Sequence, residues 1–208
     1  MRGALCVTAC LLFSAVCFAQ TGTTRPAGCP AEIDVNGDKP LTTVTLPPSK
    51  KCKTRKKNGF LLPDPNCTPG AINETLTLDV MTNKGFGTDC VRNQATSADK
   101  KLDTYTWYKA RKPATNTGKN QVCELDHLVS LELGGSDTLD NIWPQCGPKK
   151  AILNSRYFKR KDAVENFLAG EVRNGKISLA EAQKRIAEDW TQFLDDAEAC
   201  PKGDCSNP

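Results

Sequence analysis

Cysteine content constrains this chain more than any other feature. Eleven cysteines occur in 208 residues. Cys6, Cys10 and Cys17 fall in a leading stretch with the marks of a secretory signal. Arg2 supplies a short positive region, Leu5 to Phe18 an apolar run, and Cys17-Phe18-Ala19 a cut site ahead of Gln20. Removal of residues 1–19 leaves Cys29, Cys52, Cys67, Cys90, Cys123, Cys146, Cys200 and Cys205. An even number of cysteines in an exported chain implies a disulfide framework. A zinc site is the alternative, but there is no CxxC pair and only one histidine. Sequential pairing, 29–52, 67–90, 123–146 and 200–205, is the simplest expectation.

The expected organisation is a signal over 1–19, a basic disulfide-containing extension over 20–58, a main domain over 59–198 and a stapled tail over 199–208. Hydrophobic residues make up 38% and charged residues 25%, which is ordinary globular composition and not that of a disordered chain. After the leader no run approaches the roughly 18 apolar residues of a membrane span. A secreted or periplasmic monomer without a membrane segment is therefore expected. Lys+Arg exceed Asp+Glu, 28 to 24, a mild excess that fits an anionic partner without requiring one. Lys50, Lys51, Lys53, Arg55, Lys56 and Lys57 form a dense basic run, either a solvated stretch or a phosphate-contacting arm. Trp107, Tyr105 and Tyr108 form an aromatic cluster, read as core in preference to a stacking surface.

Residues 123–146 carry the chemistry. Leu125, Val129, Leu131 and Leu133 alternate with polar positions and read as one strand, broken by Gly134-Gly135-Ser136. Asn141-Ile142-Trp143 reads as a second strand, with Cys123 and Cys146 near the two ends of the hairpin. Helical spacing follows from about Phe158 to Arg173, stopped by Gly175. Ser178 and Glu181 then form a capping box that starts a helix running to about Ala197.

His127, the sole histidine, follows Asp126 directly and precedes Asn141 by fourteen positions. A neutral imidazole can take a proton from water near pH 7, and an adjacent carboxylate can hold a hard cation through oxygen. An asparagine can bond across the hairpin and fix the loop that presents the imidazole. Such a set meets the needs of phosphodiester hydrolysis. Strict strand alternation puts Asp126 and His127 on opposite faces, so a bend or bulge is expected at this point.

Asp126-His127, the Gly-Gly turn and Asn141-Ile142-Trp143-Pro144 resemble the ββα-metal HNH nucleases, in particular small exported bacterial proteins with a DHL(I/V)xLELGG…NLWP stretch. Pro63-Asp64-Pro65-Asn66-Cys67-Thr68-Pro69-Gly70 is similar to an upstream signature of that group. Lys161-Asp162-Ala163-Val164-Glu165-Asn166 and Ala180-Glu181-Ala182-Gln183 through Asp189-Trp190 are similar to its two helices. The likeness spans roughly residues 61–194. It implies an α+β fold: a ββα-metal hairpin-plus-helix core with additional helices and stapled loops. It also implies Asp126 as metal ligand, His127 as general base and Asn141 as the hairpin-organising residue. A further ligand is implied on the following helix, for which Asn154 is the candidate and Asp162 the reserve. Ala169 departs from the group, whose members often carry histidine there.

The implied activity is hydrolysis of DNA, with RNA as a further substrate, by one divalent metal and with little sequence preference. Mg²⁺ is the first candidate, with Mn²⁺, Ca²⁺, Zn²⁺ and Ni²⁺ behind it. Lys149, Lys150, Arg156, Lys159, Arg160 and Lys161 are read as the group that grips the nucleic-acid backbone. Two other readings stand beside this one. The first is an inactive HNH fold that binds nucleic acid or another polyanion. The second is a structural protein adhering to an acidic surface.

Overall fold

A computed structural model describes residues 26–35, 38–39, 51–92 and 98–203. The expected signal segment and Cys205, and with it the expected 200–205 pairing, lie outside the described residues. The architecture is α+β: three small two-stranded antiparallel sheets and five α-helices among the described residues. Strand β1 (Asp38–Lys39) pairs with β4 (Ile72–Asn73), and β2 (Arg55–Lys57) with β3 (Phe60–Leu62). The third sheet is the hairpin of β5 (Cys123–His127) and β6 (Ile142–Cys146). The helices are α1 (Leu78–Thr82), α2 (Ala98–Trp107), α3 (Tyr157–Arg173), α4 (Leu179–Asp189) and α5 (Leu194–Ala199). Among the described residues no helix is long and apolar enough to cross a membrane.

The two long periodic stretches become helices for the expected reasons. In α3, Val164, Phe167, Leu168 and Val172 are buried, and Gly175 (φ 69°) follows its end. In α4, the Ser178 hydroxyl accepts from the Glu181 N–H at 3.2 Å. The expected single helix to Ala197 does not form. Asp189 breaks it, because its carboxylate caps the Thr191 N–H at 3.0 Å and starts a 3₁₀ turn over Trp190–Phe193 before α5. The break drives Trp190 into the main core, fully buried, with Phe60 packed edge-on at 5.1 Å. That core joins α3, α4 and α5 to Val129 and Leu133 of the hairpin loop.

Two further clusters flank it. Ile33, Leu76, Val80, Val91 and Leu131 form one, next to the Cys29–Cys90 bridge. Trp107, Tyr108, Leu128 and Trp143 form the other, next to Cys52–Cys67. The aromatic cluster is thus core, with Tyr108 donating to or accepting from Thr68 at 2.7 Å.

Between described residues the disulfides are 29–90, 52–67 and 123–146. The expected 29–52 and 67–90 pairings are incorrect. Cys52 is instead drawn to Cys67 because β2 and β3 form a tight hairpin across Asn58-Gly59, both at positive φ. Cys29 reaches Cys90 because Ile33 beside it packs with Val91. Loop-closure entropy grows with loop length, so the 61-residue separation of 29–90 should stabilise more than the 15-residue separation of 52–67. The Cys29→Ser/Cys90→Ser variant is expected to lose about 4 kcal/mol and Cys52→Ser/Cys67→Ser about 3 kcal/mol. Urea unfolding of the two variants checks the order.

Candidate active site at the end of the hairpin

The hairpin register is regular, from Cys123 opposite Cys146 to His127 opposite Ile142. The strand then stops, and the expected longer strand through Leu133 is not formed. Leu128 and Val129 bend away, and Leu131–Leu133 makes a 3₁₀ turn ending at Gly134, φ 73°. A side chain on Gly135 would meet the Val129 carbonyl oxygen at 1.9 Å, so only glycine permits this return. The bend or bulge expected at Asp126 and His127 is absent, since the register stays regular through both and the chain bends only after His127. Both residues nevertheless line one cavity of about 160 Å³ at the strand end.

Asn141 enforces the bend. Its carbonyl oxygen accepts from the Val129 N–H at 2.9 Å, and its amide donates to the Val129 and Ser136 carbonyls at 2.9 and 2.8 Å. Its backbone carbonyl accepts from the Leu128 N–H at 2.8 Å. The fully buried side chain therefore ties both ends of the loop together, as its hairpin-organising reading requires. Asn141→Ala leaves three buried backbone groups without partners. It is expected to cost about 2–4 kcal/mol in thermal or urea unfolding.

His127 is oriented by Asp137, ten residues away on the same loop. Its Nε2 lies 2.8 Å from Asp137 Oδ1, which places the proton there and leaves Nδ1 as the basic nitrogen. Lys101 of α2 donates to both Asp137 oxygens, at 2.7 and 2.9 Å, and Arg92 stands 3.9 Å away. Burial raises the Asp137 carboxyl, but the hydrogen bonds from His127 and Lys101 outweigh it and hold the group below its ordinary range. Burial likewise lowers the His127 imidazole, more than Asp137 raises it, which favours the neutral ring. Asp137, Lys101 and Arg92 went unread in the sequence, and no local motif marks them. Arg92 reaches the cavity because the Cys29–Cys90 bridge anchors the 3₁₀ turn Thr88–Val91 just before it.

Asp126 is buried and faces Lys161 of α3, whose Nζ lies 3.1 Å from Oδ2. The same ammonium pairs with Glu165 one turn on and donates to the His127 carbonyl at 2.6 Å. Burial raises both carboxyls, and Lys161 opposes that rise. Lys161 is 0% exposed, so its expected role on a nucleic-acid backbone is incorrect. Arg156 is incorrect for the same reason: it is buried and donates to the Pro148 carbonyl. Lys159 and Arg160 are engaged with Asp162 and Glu198. Lys149 and Lys150 are exposed.

Asn154 is not brought to the cavity. The helix begins only at Tyr157, so Asn154 sits exposed on the preceding 3₁₀ turn. Asp162 and Glu165 do line the cavity, with Glu124 and Glu132. Ala169 is buried farther along α3 and lines a different pocket.

Carboxylate oxygens are the donors a hard divalent cation prefers. Asp126 Oδ2 is buried with the Lys161 ammonium 3.1 Å away as its partner, and an oxygen-seeking cation fits this carboxylate-rich donor set in place of that charge. Among the described residues no three His, Cys, Asp or Glu side chains form a compact ligand group. The chain matches no protein-family model, no curated protein and no solved structure.

Proposed function

We propose that the chain is an exported, metal-dependent endonuclease of the HNH type, cleaving DNA, and RNA as a further substrate, with little sequence preference. One observation carries the reading: the sole histidine, held through Nε2 by a buried carboxylate, shares a cavity with Asp126. Such a ring is a general base with its proton-accepting nitrogen preset.

Electrostatics supports the metal. Glu124, Asp126, Glu132, Asp162 and Glu165 line the cavity against Arg92, the one lining cation among the described residues, with Lys161 behind them. A phosphodiester is repelled by such a surface unless a cation bridges it. Asp126 would hold that ion, with Asp162 or Glu165 as the further ligand. Bound there, a divalent ion supplies charge for the phosphate oxygens and the leaving group. His127 Nδ1 takes the proton of the attacking water. Asp137 keeps the ring oriented and stabilises it once protonated. Arg92 faces the charge that develops on phosphorus oxygens. Asn141 holds the loop so that these groups meet.

A second reading is favoured by Lys161. Its ammonium already neutralises Asp126 and Glu165, as expected of an inactive HNH fold that binds polyanions without metal. Plasmid cleavage by the oxidised protein separates the two. Nicking that requires Mg²⁺, Mn²⁺, Ca²⁺, Zn²⁺ or Ni²⁺ and stops with EDTA supports the nuclease. DNA binding that survives EDTA, with no cleavage under any of the five ions, supports the binder.

A further inference from the structure

A second, larger cavity, of about 720 Å³, lies at the other end of β5, beside the Cys123–Cys146 bridge. Arg111, Lys119 and Lys149 stand on its rim, and no aspartate or glutamate lines it. All three cations are exposed and make no ion pair with the described residues. Most other lysines and arginines near the hairpin do: Lys101, Lys159, Arg160 and Lys161 each hold a carboxylate. The cavity wall is largely apolar, with Ala110, Pro113, Val122 and the disulfide beside Thr115, Asn120 and the buried Arg156. Ile152, on the loop that carries Lys149, is 75% exposed, the most exposed large apolar side chain among the described residues.

An apolar floor under a cationic rim is the chemistry of a nucleotide: the base seeks the floor and the phosphates the rim. In a duplex the bases are paired and stacked and cannot enter a concave cavity, whereas an unpaired strand can splay one out. Residues 123 and 127 are four positions apart on one strand, about 13 Å at about 3.3 Å per residue. A strand bound at His127 reaches this cavity within a few nucleotides. We propose that this cavity binds an unpaired nucleotide of a single-stranded nucleic acid, and so gives the protein a preference for single strands over duplexes. The proposal rests on the nuclease reading for its choice of ligand.

The test uses the oxidised full chain carrying His127→Ala, in EDTA at low salt, so that binding is measured without cleavage. The probes are a fluorescein-labelled oligothymidylate of twelve nucleotides and a hairpin duplex of equal charge. The single strand is expected to bind at least tenfold more tightly. Arg111→Glu/Lys119→Glu/Lys149→Glu is expected to erase that preference and weaken oligothymidylate binding tenfold or more. The matched control Lys84→Glu/Lys184→Glu/Lys202→Glu, at exposed sites elsewhere, is expected to change it less than twofold. If the triple reversal disturbs folding, the single variants Lys119→Gln and Lys149→Gln replace it. Each should lower the slope of log affinity against log salt by about 0.7. Equal binding of strand and duplex, or equal losses in the triple and control variants, would overturn the proposal. Selective loss at the cavity together with a wild-type protein that never cleaves would overturn the nuclease reading alone.

Discussion

His127→Ala is expected to lower metal-dependent plasmid nicking by about 10²–10⁴-fold, the range for removing a positioned general base. The fold should survive, because Asp137 keeps Lys101 at 2.7 Å and is not stranded as an unpaired buried charge. Near-UV circular dichroism and thermal unfolding of the variant check that point. A pH profile adds a second readout. The imidazole is the base only when neutral, so the rate rises with pH as His127 loses its proton. Burial lowers its pKa below the ordinary value near 6.5. The rise should therefore level off at a lower pH than an ordinary imidazole would give, and a rate still climbing steeply above pH 8 would point to a different base. Unchanged cleavage in the alanine variant would remove His127 from the mechanism.

Lys161→Met should produce the largest loss of stability of any single charge removal near the site. The ammonium is fully buried between Asp126 and Glu165. Its loss leaves two buried carboxylates without their counter-charge, which costs about 3–5 kcal/mol. The sign of the pH dependence follows from linkage. Burial already raises both carboxyls, and without Lys161 they rise further above their unfolded values. The folded variant then binds more protons than the unfolded chain. Its deficit is relieved below the ordinary carboxylate range, near pH 4, and widens as pH rises toward 8. Urea unfolding of wild type and variant at the two pH values measures the gap. Mg²⁺ or Mn²⁺ should raise the melting temperature of Lys161→Met more than that of wild type, because an added cation can take the place of the ammonium. No differential rescue would favour the polyanion-binding reading.

Sequence spacing located the candidate residues where contacts are local. Asp126, His127 and Asn141 belong to one hairpin, and their spacing encodes the loop that joins them. It failed at Asn154, because a residue five positions after Lys149 looks helical until the Gly147-Pro148 segment and the 3₁₀ turn delay the helix to Tyr157. It also failed at Lys161 and Arg156, because a lysine or arginine in a basic run looks the same in sequence whether it meets water or a buried carboxylate. Charge runs usually mark solvated faces. Here Lys161 lies on the inward face of α3, at a spacing of three from Val164 and seven from Leu168, so helical periodicity carried the signal that its charge concealed.

The amino-acid sequence by itself determined the local elements: the hairpin ended by Cys123 and Cys146, the glycine-dependent return of its loop, the two periodic helices and the Ser178 cap. Each lies within one continuous stretch of chain, whose steric and hydrogen-bonding preferences are written in residue type and spacing. Only the tertiary structure decided that Cys29 pairs with Cys90, that Asp137 and not solvent holds His127, and that Lys161 lies against Asp126. Those contacts join residues 61, 10 and 35 positions apart. What selects them is the common burial of the helices and the hairpin, a free-energy minimum of the whole chain that no single stretch of it specifies.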